Sequence, residues 1–326
     1  MKRKISILLT TIMMFVIISG CGLKNNSSEN KNVKILFSVS DASDSFRSIL
    51  TESAKSYAGS QNIDLTVVDE ANSIEKQVAH MKEAVSGGYD VIICAPVDPN
   101  TTLQLKKAAE GLPIVFINSA PNDSLLEKNR YIYVSSDEKL AGQYQTEYII
   151  DYLKNKNDIK VVLFKGEKEH SATVGRTKAV KQTFKEKGIN AEYVFEDNAN
   201  WSRQKTKEMF NVFLTTGRKF DCVICNNDEM ALGVIDSFRE NKIDPSSIPI
   251  VGIDAIGNAC NAVADGSMKL TVYQDAKGQS KSAVQAAIEL GSGGTLSNIE
   301  NMTNDGKYIW VPFEKVDKNN VKQYMN

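Results

Sequence analysis

The chain has 326 residues, a formal net charge of −1 and two histidines. That length is more than one small core can fill and suits two domains of ordinary size. No basic stripe is present to neutralise phosphates, which argues against a nucleic-acid partner, and two histidines leave little for a metal site or a hydrolase.

The N-terminus stands apart. Lys2, Arg3 and Lys4 precede an apolar run from Ile5 to Ile18, and Ile18-Ser19-Gly20-Cys21 follows. This is the layout of a secretory signal, and the run is too short for a comfortable membrane span. It resembles the lipobox of bacterial lipoproteins, which implies a signal peptide over 1–20 and a lipid on Cys21, holding the protein to the extracytoplasmic face of the cell membrane. Residues 21–32 then form the lipidated Cys and a tether, polar and rich in Asn and Ser without periodicity.

From Val33 the chain alternates. Val33 to Val39 reads as a strand, and Phe46, Ile49, Leu50, Ala54, Tyr57 and Ala58 recur at helical spacing. Ile63 to Val68 is a strand, Ile74, Val78, Met81 and Val85 stripe a helix ending at Gly87-Gly88, and Val91 to Ala95 is a buried strand. Leu103 to Ala109 is helical and Pro113 to Ile117 is a fourth strand. Strand and helix in this rhythm predict right-handed βαβ units on a parallel sheet. Ile117 to Asn122 breaks the rhythm, and a second sheet is expected to begin after it.

That second unit reads as strands at Ile132 to Val134, Val161 to Phe164, Ala191 to Phe195, Asp221 to Cys225, Ile250 to Ile253 and Leu270 to Tyr273, separated by apolar-striped helices. A helix from Ala276 to Leu290 stops at a glycine cluster, Gly291-Ser292-Gly293-Gly294, which follows a helix and so is a cap and linker instead of a phosphate loop. Tyr308 to Phe313 reads as one last strand. The fold class is α/β, with two similar lobes that each hold a mostly parallel sheet flanked by helices. There is no GxGxxG after the first strand, no GxxxxGK[ST], no GxSxG and no HExxH.

Cys222 to Gly233, C-V-I-C-N-N-D-E-M-A-L-G, is the most informative corner. Cys222 and Cys225 have the spacing of a redox or zinc pair, but residues i and i+3 of a strand point to opposite faces, so both read as core. Asn226 and Asn227 end the strand, Asp228 reads as the cap of the next helix, and ligands of open α/β sheets bind at the carboxyl ends of strands. Two neutral amides there suit a polar, uncharged ligand. His80, on an exposed helix face, carries no expected role.

Taken in order, S-D-A-S-D-S-F, A-P-V-D-P, K-G-E-x-x-H with Arg176 downstream, N-W at 200 to 201, N-N-D-E-M-A-L-G, V-G-I-D-A and T-V-Y-Q-D resemble the type I periplasmic sugar-binding proteins of ABC transporters, and among them the galactose/glucose type. The likeness covers nearly all of the chain after the signal. It implies two lobes joined by a three-segment hinge, with a monosaccharide held between them, no cofactor and no enzymatic activity. The lobes are expected at 33–117 with 275–304, and at 118–274 with 305–326, with hinges near Asn118, Gln274 to Asp275 and Asn304 to Lys307.

The resemblance implies sugar contacts from Asp44, Phe46, His170, Arg176, Trp201, Asn227, Asp254 and Gln274. Carboxylates, amides and an arginine pair the hydroxyls of a sugar, and Phe46 and Trp201 are flat enough for its C–H faces. Ala95 and Ala172 replace an Asn and an Asp of the galactose type, which leaves open a pentose or a glycoside. Asn155 to Ile159 lacks the spacing and glycine of that type's calcium loop, so no metal is expected there. The implied partner is a membrane ABC permease, or alternatively a sensor kinase or chemoreceptor, and the protein is expected to be a monomer. A LacI-type repressor shares the implied fold but needs a DNA-binding helix-turn-helix where the signal stands. A glycosidase using Asp44 and Asp254 would need a raised-pKa environment that the sequence does not supply.

Overall fold

The computed structural model describes residues 33–154 and 156–325. The signal, Cys21, the tether and Asn155 lie outside the described residues.

The first sheet is built from β1 (Lys34–Val39), β2 (Asp64–Asp69), β3 (Val91–Cys94), β4 (Ile114–Ile117) and β5 (Tyr131–Ser135), with α1 (Ser45–Ser60), α2 (Ile74–Ser86) and α3 (Thr102–Ala108) between its first four strands. The second unit runs α4 (Glu138–Tyr152), β6 (Asp158–Lys165), α5 (Ser171–Glu186), β7 (Asn190–Asn198), α6 (Arg203–Thr215), β8 (Cys222–Cys225), α7 (Asp228–Glu240), β9 (Ile250–Val251), α8 (Gly257–Ala264) and β10 (Thr271–Gln274). The chain closes with α9 (Ala276–Gly291), β11 (Tyr308–Trp310) and β12 (Phe313–Val316).

The first sheet has the order β2-β1-β3-β4-β5-β11 and is parallel throughout. The second begins β7-β6-β8-β9, single bridges at Val251–Leu270 and Asp254–Tyr273 bring β10 beside β9, and β12 pairs antiparallel with β10. The two lobes therefore repeat one strand order, differing in the direction of the last strand. In each, successive residues of a central strand feed opposite cores. Ile35, Phe37, Val91 and Ile93 pack on one face of the first sheet, and Leu36, Ile92, Cys94 and Phe116 on the other. Cys222 and Cys225 likewise enter different cores of the second sheet and are free thiols, as the strand periodicity requires.

The lobe boundaries differ from the sequence expectation of 117/118 and 304/305. β5 pairs with β4, Ile114 opposite Tyr131 through Ile117 opposite Val134, so the chain remains in the first sheet until Ser135. The crossover between β4 and β5 lacks a helix: Asn118 turns in the left-handed region at φ 65°, and a short helical turn at Asp123–Leu125 leads back. Loss of the strand–helix rhythm there marks a shortened crossover within one sheet. The expected strand Tyr308 to Phe313 splits in two, because Pro312 has no N–H for a ladder. Tyr308–Trp310 joins the first sheet beside β5, and Phe313–Val316 joins the second. The chain thus crosses after Ser135, after Gln274 and after Trp310. These crossings are tied side by side, with Val311 N–H donating to Ser135 O at 2.8 Å and Gln279 Nε2 to Ser136 Oγ at 3.0 Å.

Behind the cleft, Glu70 is fully buried between Ser38 Oγ at 2.6 Å and His80 Nδ1 at 2.7 Å. His80 therefore has a structural partner that its position on a helix face did not announce. Gln77 extends the cluster by donating to Ser38 Oγ and Ala95 O and accepting from Val97 N–H, which fixes the carboxyl ends of β1 and β3.

Candidate ligand-binding site

Between β1 and β3 in one lobe, and between β6 and β8 in the other, the strand order reverses. Loops leaving the carboxyl ends of neighbouring strands part there, which is where open α/β sheets bind ligands. The two switch points face each other across a small cavity. Asp44, Phe46, His170, Arg176, Trp201, Asn227, Asp254 and Gln274 all line it, together with Arg47, Asn118 and Ala172. Ala95 does not line it and is buried in the core of the first sheet.

Several of these side chains also start helices. Asp44 caps α1, its Oδ1 accepting Arg47 N–H at 2.9 Å, and this sets the first turn that turns Phe46 and Arg47 inward. Arg47 is 4% exposed. It donates from Nε to Asn118 Oδ1 at 3.1 Å, and its Nη2 stands 3.5 Å from Glu167 Oε2 in the other lobe.

His170 caps α5 through Nδ1, which accepts Ala172 N–H at 3.2 Å. An accepting Nδ1 places the ring proton on Nε2, and that buried Nε2 has no partner in the protein. Burial, aided by Arg47 and Arg176, holds the imidazole pKa well below its usual 6.5, so the ring is neutral. Its ring meets Trp201 edge to face, with centroids 5.3 Å apart and planes at 78°. Asn200 and Trp201 both lie in the left-handed region, at φ 55° and 64°, a conformation uncommon outside glycine that marks functional corners. Trp201 Nε1 is a second buried donor without a protein partner.

Arg176 is the hub. It donates to Glu138 Oε2 at 2.6 Å, Asn226 O at 2.6 Å and Gln274 Oε1 at 2.8 Å, and its Nη1 stands 3.9 Å from Asp254 Oδ1. With its planar fork satisfied on three sides, Arg176 holds Gln274 in place and leaves the Gln274 amide nitrogen for the cavity.

Asn227 caps α7, accepting Met230 N–H on Oδ1 at 3.0 Å, which leaves its amide N–H groups for the cavity. The cap is therefore Asn227, and Asp228 does other work. Its carboxylate is buried, accepting Thr271 Oγ1 at 2.8 Å and Ile256 N–H at 3.1 Å, and burial pushes its pKa up to about 8. Thr271 Oγ1 in turn accepts Ala255 N–H at 3.1 Å. These bonds clamp Asp254 and Ala255 at φ 118° and 53°. Asp254 is thereby turned into the cavity, where burial raises its pKa well above the carboxylate range, with Asp228, Asp44 and Glu138 adding to the rise and Arg176 opposing it.

Arg47 and Asn118 were not expected from the sequence. The available signals were an arginine inside the apolar stripe of α1, three residues from its cap, and an asparagine at the carboxyl end of β4. The lobes are held together over the cavity by Ser45 Oγ donating to Glu229 Oε1 at 2.7 Å, Ala120 N–H to Ser171 Oγ at 2.8 Å, and the Arg47–Glu167 pair. The arrangement is that of a closed binding cleft: neutral donors, amides, charged groups of both signs and two aromatic rings converge from both lobes on one small space.

Comparison with known proteins agrees. The periplasmic binding protein domain profile matches residues 35–295. The putative rhizopine-binding protein of Rhizobium meliloti is 35% identical over 289 residues, covering 86% of this chain and 89% of that protein. The D-galactose/methyl-galactoside binding periplasmic protein of Haemophilus influenzae is 28% identical over 276 residues, covering 81% and 82%. A solved ABC transporter solute binding protein from Bacillus halodurans, with bound myo-inositol, superposes with a TM-score of 0.80 at 26% identity, covering 92% of this chain and 99% of that one. From its matched length and its shared architecture, the chain belongs to the periplasmic binding protein family.

Proposed function

We propose that this protein is the substrate-binding lipoprotein of an ABC sugar importer, taking a neutral polyhydroxylated ring into the cleft between its lobes and presenting it to a membrane permease. The observation that carries this reading is the set of side chains meeting in one cavity. Asp44, Arg47, Arg176, Asn227, Asp254 and Gln274 offer both donors and acceptors to ring hydroxyls, and the faces of Phe46 and Trp201 suit C–H surfaces. The unpartnered N–H groups of His170 and Trp201 add two donors whose burial would otherwise cost about 1–3 kcal/mol each. A neutral ring suits a site that already holds charges of both signs, Arg47 beside Glu167 and Arg176 beside Glu138 and Asp254.

The ligand class is a monosaccharide of the galactose or glucose type or a cyclitol. The named relatives bracket both, and Ala172 leaves room where the galactose type has an aspartate. Uptake proceeds by hinge closure about the three crossings, with one lobe binding first and the other completing the hydrogen bonds. Cys21 carries the lipid that keeps the receptor beside its permease.

Thermal melting of residues 22–326 with D-galactose, D-glucose, D-ribose and myo-inositol tests the reading. At about 1,000-fold saturation a true ligand stabilises the fold by about 4 kcal/mol. A shift with one or two of these supports it, and no shift with any polyol sinks it. A Cys21→Ser chain appearing in the culture medium while the wild type remains with cells tests the lipid.

A further inference from the structure

The cavity has a neighbour across a shared wall. Phe46, Asp254 and Gln274 are shared with a second, wider space, which opens between α1 and the start of α9 on one lobe and the loop after β9 with β10 on the other. The partition between the two spaces therefore combines an apolar ring from the first lobe with polar side chains from the second, and Phe46 can form no hydrogen bond across it. Polar bonds that cross the cleft at Ser45–Glu229, Arg47–Glu167 and Ala120–Ser171 lie elsewhere. A group passing between Phe46 and Asp254 breaks none of them.

The second space has a preformed aromatic wall. Tyr273 and Tyr324 lie with ring centroids 5.1 Å apart. Each hydroxyl is held, Tyr273 by Asp275 and Tyr324 by Glu314, so the rings are fixed in position. Opposite them Ile49 on α1 is 41% exposed, a large apolar side chain facing the same opening. Within a lining that also holds Asp254, Gln274, Lys277 and Gln323, these fixed rings and Ile49 offer a flat apolar group a surface it prefers to water.

We propose that this space is a second subsite, receiving an apolar and preferably aromatic substituent carried by the ring in the cavity, so that the ligands include O-substituted sugars or cyclitols. The proposal rests on the cavity binding a polyhydroxylated ring. Lys277 and Gln323 at the rim leave the outer end of the substituent in contact with polar groups.

The test is isothermal titration of galactose, glucose and myo-inositol, each as the free ring and as its 1-O-methyl and 1-O-benzyl derivatives, against the wild type, Gly257→Phe and Tyr324→Ala. Gly257 lines the second space and not the cavity, and nothing lies within 4 Å of a Cβ built on it, so a phenylalanine is accommodated there and is introduced to narrow the slot. For the ring that binds, the benzyl derivative is expected to bind about tenfold or more tighter than the methyl one, from the apolar area it buries. Gly257→Phe is expected to abolish that gain and Tyr324→Ala to reduce it, with the free ring's affinity unchanged in both. Equal binding of benzyl and methyl derivatives, rejection of the benzyl derivative by the wild type, or a gain that survives both substitutions overturns the subsite while leaving the receptor reading intact. If neither the free rings nor their derivatives bind, the receptor reading falls and the subsite with it.

Discussion

The six-membered ring of the Trp201 indole lies against the α-carbon of Gly166: a Cβ added to Gly166 would stand 2.0 Å from Cη2 and 2.1 Å from Cζ2. The glycine cannot retreat, because its N–H donates to Asn226 Oδ1 at 3.3 Å and its carbonyl accepts Asn198 Nδ2 at 2.5 Å. The indole must move instead. Gly166→Ala is expected to keep the fold, change the tryptophan emission, and weaken ligand binding by about ten- to hundredfold, equivalent to about 1.4–2.8 kcal/mol. Fluorescence titration reads both effects at once, and an unchanged affinity would mean that the indole does not touch the ligand.

This contact also shows why the site was partly legible in the sequence. A glycine beside a distant tryptophan has no local signature, yet both belong to short polar corners that end strands, and such corners are where chemistry collects in a parallel sheet. Asp44, His170, Asn227 and Asp254 stand at such corners, so residue type and position agreed. Arg47 escaped because even an arginine inside an apolar helix stripe reads as one whose long side chain reaches solvent, and its partners Asn118 and Glu167 are far away in sequence. The strand β5 escaped assignment to its sheet for a related reason. Its apolar run says strand, but which sheet it joins is set by pairing with β4, which no periodicity encodes. The break at Pro312 was readable, since a proline inside an apolar run argues against one continuous strand.

Arg176 balances two buried carboxyl groups. Burial raises the pKa of Glu138, and Arg176 is the group that opposes the rise. Removing the guanidinium leaves Glu138 and Asp254 buried without their cation. Arg176→Met is therefore expected to destabilise the fold by about 3–5 kcal/mol. Adding Glu138→Gln to that variant is expected to restore part of the loss, because it removes one of the stranded carboxyls. Denaturant melts of both proteins check this, and equal stability of the single and double variants would show that the pair is not coupled.

His170 has two separable roles, a cap made by Nδ1 and an N–H presented by Nε2. Asparagine caps well, so His170→Asn is expected to keep the stability of α5 and lose ligand affinity, whereas His170→Ala loses both. The pH dependence gives a second check. The folded protein holds this imidazole neutral well below pH 6.5, while the unfolded chain protonates it near 6.5. Its contribution to stability is complete above that pH and is lost as pH falls from 6.5 toward the lowered folded value, by up to about 1.4 kcal/mol per pH unit. Denaturant melts at pH 7 and pH 5 should show a steeper loss for the wild type than for His170→Asn, and parallel losses would count against a buried neutral ring.

Asp254 has the opposite sign. Its folded pKa is raised well above the unfolded value, so its contribution is complete below about pH 3.9 and is lost as pH rises through the folded value. At neutral pH the carboxyl of the ligand-free protein is costly to ionise: burial and the carboxyl groups of Asp228, Asp44 and Glu138 outweigh the attraction of Arg176. Asp254→Asn keeps the shape and removes that cost. The variant is expected to be more stable than the wild type without ligand, by about 1–3 kcal/mol at pH 7.5, with the advantage shrinking as pH falls toward 4. It is also expected to bind the proposed ligand at least about tenfold more weakly, since donating ring hydroxyls together with Arg176 favour the ionised carboxylate in the bound state, and an amide accepts their hydrogen bonds less strongly. Melts across this pH range, paired with titration at pH 7.5, separate the two effects. A variant that loses both stability and affinity would mean that Asp254 holds the loop instead of serving the cavity, because its φ of 118° would then depend on the carboxylate itself.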